Sequence, residues 1–335
     1  MFGRSLRIGL IGYGHWGPNY ARSMDAVEGA SLTWCVDASA EALERARAAC
    51  PNVRLSRDVD DVLNAPDCDA VIVTTNPSQH YAVAKRILAA RKPLLVEKPL
   101  ATDEAGAAAL ATLAERQNVI TVAGHVYLFN PVTRAISSRL RSGKLGRIRL
   151  LTASRMFTRL ASSSTRPDVD ALWDLAPNDI AMFVCFAGGP PQLVSAVRSA
   201  HFRTDQADAY VVILRWRSGI VGELRVSWDY PFRERLVGVV GSRGTLLFDD
   251  DAAEKLTLYD DASGTAGTPN GQRLAYGSES PVVRQLRHFV TCVKTGTKSP
   301  VDFRYGASIV RILAAIDEAA LEGTTVRLDT QPPEG

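Results

Sequence analysis

The sequence predicts an α/β chain in two parts: a doubly wound parallel sheet at the N-terminus, then an α+β domain on a large, mostly antiparallel open sheet. Three observations predict it. The chain has 335 residues, enough for two domains at about 150 residues each. Its first 123 residues alternate short apolar runs with stretches of helical period, the pattern of strand–helix–strand units in a parallel sheet. From Gln192 onward one strand-like segment follows another, with the short turn signals that antiparallel hairpins require.

Leu6–Ile11 is a continuous apolar run suited to a strand buried on both faces. A glycine-rich turn and a helix to Asp25 follow. Leu32–Val36 is the second strand, and Ser39 is a good N-cap for a helix to Ala49. Val53–Leu55 and Asp69–Thr75 are the third and fourth strands. His80–Ala90 carries Val83, Ala84, Ile87 and Leu88 at helical spacing. Leu94–Val96 is a strand, Asp103–Gln117 a helix and Val119–Ala123 the sixth strand. The rhythm then changes. Arg147–Thr158 reads as a long strand, and Asp174–Ala187 as a helix ending at Gly188-Gly189. The strands Leu193–Phe202, Ala209–Trp216, Ile220–Tyr230, Arg235–Val240, Thr245–Phe248 and Leu256–Tyr259 come next. Ala262–Pro281 is rich in Gly, Ser, Thr and Pro and reads as a loop. Helices Val282–Lys294 and Tyr305–Glu322 close the chain before a frayed tail, Gln331–Gly335.

A net charge of +3 gives no electrostatic case for a nucleic-acid partner. No run of about 18 apolar residues predicts a membrane span. The apolar stretch after Arg7 is too short for a signal-peptide core and reads as a strand. The five cysteines are odd in number and lack C-x-x-C spacing. They read as free thiols in a reducing cytoplasm, and the histidines form no metal cluster.

Gly12-Tyr13-Gly14-His15-Trp16-Gly17 fits G-x-G-x-x-G between a buried strand and a helix, and Asp37 lies twenty residues after Gly17 at the end of the second strand. That context is the dinucleotide fingerprint of a Rossmann fold. Gly12 allows the tight turn, Gly14 lets the backbone approach a pyrophosphate, and Gly17 allows close helix–strand packing. The pyrophosphate sits on free N–H groups at the helix start, where Pro18 is tolerated. Asp37 accepts from both ribose hydroxyls and repels a 2′-phosphate. Ala38 and Ser39 bring no arginine, so NAD is favoured over NADP. The competing reading of Asp37 is a strand terminator.

Glu97-Lys98-Pro99 follows the fifth strand, at the carboxyl edge where ligands of open α/β sheets bind. A lysine there can reach the nicotinamide end of a dinucleotide. A further set of segments accompanies it: DAVIVTTNPSQH at Asp69–His80, LLVEKPLA at Leu94–Ala101, GHVYLFNP at Gly124–Pro131, ALWDLAPND at Ala171–Asp179, SWDYP at Ser227–Pro231 and VVGSRGTLLFDD at Val239–Asp250. With the fingerprint, this ordered set resembles the Gfo/Idh/MocA family across nearly the whole chain, and looks closest to members acting on sugars and sugar nucleotides.

The resemblance implies a dinucleotide-binding domain at 1–123 and a substrate-binding and oligomerisation domain at 124–330. It implies that helix 305–322 packs back on the first domain and that the open sheet pairs in a homodimer or homotetramer. It implies an NAD-dependent dehydrogenase or reductase that moves hydride between a nicotinamide and a sugar, sugar-nucleotide or cyclitol carbinol. Lys98 inherits the family lysine that holds the reacting oxygen and relays its proton, and Pro99 follows a cis bond in many relatives. Glu97, Thr75, Asn76, Pro77 and His80 lie beside the cofactor. The family's Asp-x-x-x-His reads Asp174-Leu175-Ala176-Pro177-Asn178 here. The aspartate carries over to Asp174, capping the helix. The histidine does not, because Asn178 stands in its place and cannot exchange a proton near neutral pH.

His125, Tyr127 and Arg155 are substrate candidates, with Arg159, Trp173, Trp228 and Tyr230 behind them. Packing is the competing reading for His125, Tyr127 and His80, a structural pair with Glu97 for Lys98, and a bare cap for Asp174. Two other functions stay open: a glycosidase or epimerase that oxidises transiently with bound NAD, and a regulatory protein that has kept the cofactor fold. Intact Lys98 and Asp174 argue against the second.

Overall fold

The structure is a computed structural model that describes residues 4–158, 168–201, 206–260 and 271–328. Arg159 and the tail Gln331–Gly335 lie outside the described residues. The chain divides into two compact units, Met1–Phe129 with Glu279–Val310, and Asn130–Ser278 with Arg311–Gly335. The division falls after Phe129, and residues 279–310 belong to the first unit.

In the first unit, strands β1 (Leu6–Ile11), β2 (Ala30–Val36), β3 (Arg54–Ser56), β4 (Ala70–Val73), β5 (Leu94–Glu97) and β6 (Thr121–Gly124) form a parallel sheet of order β3-β2-β1-β4-β5-β6. Strand order reverses between β1 and β4, the place where open α/β sheets bind ligands. Helices α1 (Gly17–Met24), α2 (Ala40–Ala49), α4 (Pro77–Ala89) and α5 (Glu104–Arg116) follow as the periodicity requires. Ser39 caps α2, accepting from the Ala42 N–H at 3.3 Å. One helix escaped the sequence reading: α3 (Val59–Asn64), which buries only Val62 and is held by its Asp58 cap. The helix α9 (Pro281–Thr295) seats Leu286 and Phe289 among Ile8, Leu10, Tyr20 and Ile72.

In the second unit, α6 (Pro131–Arg141), a helix that sequence reasoning did not place, begins at an Asn130 cap. Its sheet runs β14-β13-β12-β11-β7-β10-β9-β8-β15, with β7 (Ile148–Thr158), β8 (Leu193–Ser199), β9 (Ala209–Arg215), β10 (Val221–Ser227), β11 (Asp229–Gly241), β12 (Gly244–Asp249), β13 (Leu256–Asp260), β14 (Gly271–Arg273) and β15 (Val326–Arg327). All neighbours are antiparallel except β7 and β10, which run parallel. On one face Val197, Val211 and Ile213 are exposed.

Three expectations need correction. Ile220–Tyr230 is not one strand, because β10 ends at Ser227, whose Oγ accepts from the Asp229 N–H at 2.9 Å and turns the chain into β11. The stretch Ala262–Pro281 is not all loop: residues 262–270 lie outside the described residues, but Gly271–Arg273 pairs with β13, and Arg273 donates to Thr257 Oγ1 at 2.8 Å. The helix expected at Asp174–Ala187 is two, α7 (Ala171–Leu175) and α8 (Pro177–Ala187). Pro177 has no N–H to continue the ladder, and Asp170 is the cap of α7, so Asp174 is not a cap. The last helix, α10 (Phe303–Glu322), contributes Phe303–Val310 to the first unit and the rest to the second. Among the described residues no helix is long and apolar enough to cross a membrane.

Candidate active site

In the first unit the three fingerprint glycines have three distinct duties. Gly12 has φ +97°, and a Cβ there would lie 2.7 Å from the Thr74 carbonyl carbon and the Thr75 nitrogen. A Cβ at Gly17 would collide with the Gly12 carbonyl oxygen. At Gly14 a Cβ would meet no heavy atom within 4 Å among the described residues. Gly14 therefore costs nothing to the fold, and its missing side chain leaves room for a ligand. Thr74 Oγ1 donates to the Gly12 carbonyl at 2.6 Å and pins the turn. The start of α1 has Pro18 in its first turn, no acidic residue and no side-chain cap. Its unpaired N–H groups and positive dipole end suit an anion. This cradle fits a pyrophosphate.

Asp37 stands directly after β2. Its Oδ2 accepts from the Tyr13 N–H at 2.6 Å and its Oδ1 from the Ser39 N–H at 2.8 Å. Each oxygen retains acceptor capacity for a ribose hydroxyl. The Tyr13 ring is buried, whereas His15 is exposed and packs edge-on to Trp16 at 6.1 Å. The structure brings two arginines here that sequence reasoning overlooked. Arg45 of α2 donates through Nη2 to the Tyr13 carbonyl at 3.5 Å. Exposed Arg57, from the turn after β3, donates through Nε to the Ala38 carbonyl at 3.0 Å.

Beyond β4, Thr75 is half-buried, Asn76 is exposed as the N-cap of α4, and Pro77 opens that helix. The Asn76 side chain makes no cap bond. His80 is fully buried, with Nδ1 2.7 Å from the Pro99 carbonyl oxygen and Nε2 3.0 Å from that of Thr75. It joins the end of β4 to the segment after β5. There Glu97 and Lys98 are both buried, and the Lys98–Pro99 bond is cis. Glu97 accepts from the Tyr20 hydroxyl at 2.6 Å and from the Lys98 N–H at 3.1 Å.

His125, at the end of β6, is 1% exposed. Its ring lies edge-on to Tyr305 at 6.0 Å, and neither ring nitrogen has a hydrogen-bond partner among the described residues. Burial, aided by the Lys98 charge, pushes its pKa down to about 3. The imidazole is neutral at working pH, with one donor and one acceptor to offer. Tyr127 follows, half-buried in the 3-10 turn Val126–Phe129.

In the second unit Asp174 is half-buried on α7 and Asn178 lies in the first turn of α8. Asn178 is 7% exposed, and its Oδ1 has no partner among the described residues. Arg155 grips Asp179 in a buried two-point pair, Nε–Oδ2 at 2.7 Å and Nη2–Oδ1 at 2.8 Å. Arg155 is thus tied to the residue beside Asn178. Trp173 and Trp228 are buried, and Tyr230 packs edge-on to Phe232. Sequence reasoning missed Thr74, Tyr20 and Asp179; the last carries a signal, a lone carboxylate before the apolar run that begins at Ile180.

Substituting Gly14→Ala is expected to leave the melting temperature of the cofactor-free protein unchanged and to weaken dinucleotide binding at least about tenfold, read by calorimetry. Unchanged affinity would show that the open space at Gly14 is not used. Asp37→Ala is expected to raise NADP affinity relative to NAD, because the repelling carboxylate is gone and Arg57 remains. Adding Arg57→Ala should cancel that gain.

Residues 6–125 match the model of an oxidoreductase family with an NAD-binding Rossmann fold, and residues 133–247 match the GFO/IDH/MocA C-terminal domain. The chain is 33% identical to the myo-inositol dehydrogenase Hyg17 of Streptomyces leeuwenhoekii, over 95% of this chain and 98% of that protein. It is 31% identical to UDP-N-acetylglucosamine 3-dehydrogenase of Acidithiobacillus ferrooxidans, over 66% and 67% respectively. Its fold superposes on levoglucosan dehydrogenase, solved with NADH and levoglucosan, with a TM-score of 0.88 at 19% identity, covering 97% of this chain and all of that one.

Proposed function

The chain belongs to the GFO/IDH/MocA oxidoreductase family, and we propose from that premise that it transfers hydride between a nicotinamide and a secondary alcohol or ketone of a sugar, sugar nucleotide or cyclitol. The observation that carries the reading is Lys98, buried after β5 on the sheet that holds the glycine turn, with a neutral His125 within reach of its charge. When bound, NAD supplies the hydride acceptor at nicotinamide C4.

Dinucleotide binding falls to residues within 1–123. The turn Gly12-Tyr13-Gly14-His15-Trp16-Gly17 holds the pyrophosphate and Asp37 the adenosine ribose. Thr75, Asn76, Pro77, His80 and Glu97 shape the nicotinamide side. Substrate contacts fall to residues within 124–330: His125, Tyr127, Arg155 and Asn178. The catalytic set is Lys98, Asp174 and Asn178. Removal of an alcohol proton as hydride leaves needs a positioned base, and such a group contributes about 10²–10⁴-fold. Lys98 holds the reacting oxygen and passes on its proton. Asn178 cannot take a proton, so it orients the hydroxyl by donating and accepting. Asp174 supplies the negative charge beside it. The exposed Val197, Val211 and Ile213 favour a homodimer or homotetramer that covers the open sheet, and the unpaired cysteines favour the cytoplasm.

Lys98→Met is expected to leave NAD affinity near wild type and to lower turnover of a cyclitol or sugar substrate by at least about 10²-fold. Unchanged turnover would remove Lys98 from the mechanism. Asn178→His is expected to add a limb to the pH–rate profile near the histidine value of about 6.5. A profile of unaltered shape, together with full activity in Asn178→Ala, would make the residue structural only.

A further inference from the structure

Behind Asp174, and outside the set just assigned, Tyr210 of β9 reaches two carboxyl groups at once. Its hydroxyl oxygen lies 2.7 Å from Asp170 Oδ2 and 2.7 Å from Asp317 Oδ1. A phenol has one O–H and can donate to only one of them. The other contact joins two oxygens at hydrogen-bond distance, which holds only if a proton lies between them. The remaining carboxyl oxygens are already acceptors. Asp170 Oδ1 accepts from the Trp173 backbone N–H at 3.2 Å, and Asp317 Oδ2 accepts from the Trp173 indole N–H at 2.7 Å. The missing proton therefore belongs on Asp170 Oδ2 or Asp317 Oδ1, facing the tyrosine.

We propose that Asp170, Tyr210 and Asp317 are positioning residues that hold one shared proton between the two carboxyl groups, and that this proton fixes α7, which carries Asp174. The cluster grips Trp173 at both its backbone and its indole nitrogen, one residue before Asp174. The groups that act on the Asp170 charge are Tyr210, Asp317 and the backbone N–H groups of Leu172 and Trp173. Burial first, and then the Asp317 charge, raise Asp170 to about 6 against those hydrogen bonds. Tyr210 is pushed far above the usual phenol range by burial and by both carboxylates, so it keeps its own proton. The raised value sets the sign. The shared proton contributes stability fully below about pH 4 and loses it as pH rises through about 6. Release leaves an oxygen facing the Tyr210 oxygen with nothing between them.

Asp170→Asn separates this arrangement from plain packing. The amide oxygen keeps the cap to the Trp173 N–H, since asparagine caps as well as aspartate. The amide nitrogen donates to the Tyr210 oxygen at every pH. The experiment compares melting of the full-length variant and wild type, each loaded with NAD, between about pH 5 and about pH 8. Taking the difference removes the opposite contribution of His125, whose lowered pKa stabilises above 6.5 and is lost as pH falls toward about 3. The variant is expected to gain a few degrees on wild type over that range. A difference that is constant or falls with pH overturns the shared proton. Asp317→Asn, which places the donor on the other carboxyl, gives the same readout if Asp170→Asn does not fold.

The effect on turnover rests on the proposed role of Asp174; the melting readout does not. With a cyclitol substrate, wild-type kcat should decline as pH rises through about 6 while the KM for NAD stays constant, and Asp170→Asn should abolish that decline. A pH-dependent melting difference with an unaltered kcat profile would overturn the positioning role and leave the shared proton standing.

Discussion

Two backbone turns lie almost in contact in the first unit, at Gly12 and at Thr74-Thr75, and the site is arranged around that approach. Only a residue without a Cβ fits, because a Cβ on Gly12 would lie 2.7 Å from the Thr74 carbonyl carbon. The Thr74 hydroxyl closes the gap with a hydrogen bond to Gly12. From Thr75 the connection continues through His80 to Pro99 and so to Lys98. The glycine turn and Lys98 are thereby set by one short run of polar contacts. Glu97 adds a second tie, because Tyr20 on α1 donates to it. All of these groups but Thr75 are buried, and an unsatisfied buried member would cost about 1–3 kcal/mol.

The second unit uses an ion pair for the same end. Arg155 sits in β7, which pairs with β10 on one side and β11 on the other, opposite Val226 and Arg235. Its register is fixed by the middle of the sheet. Asp179 binds that guanidinium at two points, so the first turn of α8, with Asn178, inherits the position of the central strand. Removing one partner of such a buried pair costs about 3–5 kcal/mol, because the other is left charged and alone.

The parallel sheet was legible in the sequence because its strands are apolar runs with no competing period, and the fingerprint because glycine and aspartate stand at spacings that backbone geometry demands. The elements that escaped have a weak period of their own or depend on a distant partner. α3 buries one residue and exists through its cap. β14 is three residues long and is defined by its partner β13. The break at Pro177 was visible in the sequence, but the helical spacing of Asp174 and Asn178 masked it. In the site, Gly14, Asp37 and Lys98 stand at sequence-specified places. Thr74, Tyr20 and Asp179 act across separations of 62, 77 and 24 residues, and no short motif encodes such pairings. Arg57, brought to Ala38 from nineteen residues away, escaped for the same reason.

The first unit is not continuous in the chain. Its core takes Leu286 and Phe289, both fully buried, from α9, which packs on α1 and on the 3-10 turn Val126–Phe129. A ribosome that has finished the six parallel strands must still synthesise residues 130–278 before those side chains exist. At about 5–20 residues per second that delay is of order ten to thirty seconds. Throughout it the part already made exposes the apolar surface of α1 and the 3-10 turn that α9 later covers. Vectorial synthesis therefore makes the unit that begins first complete its core late, and the nascent chain needs shielding during that interval.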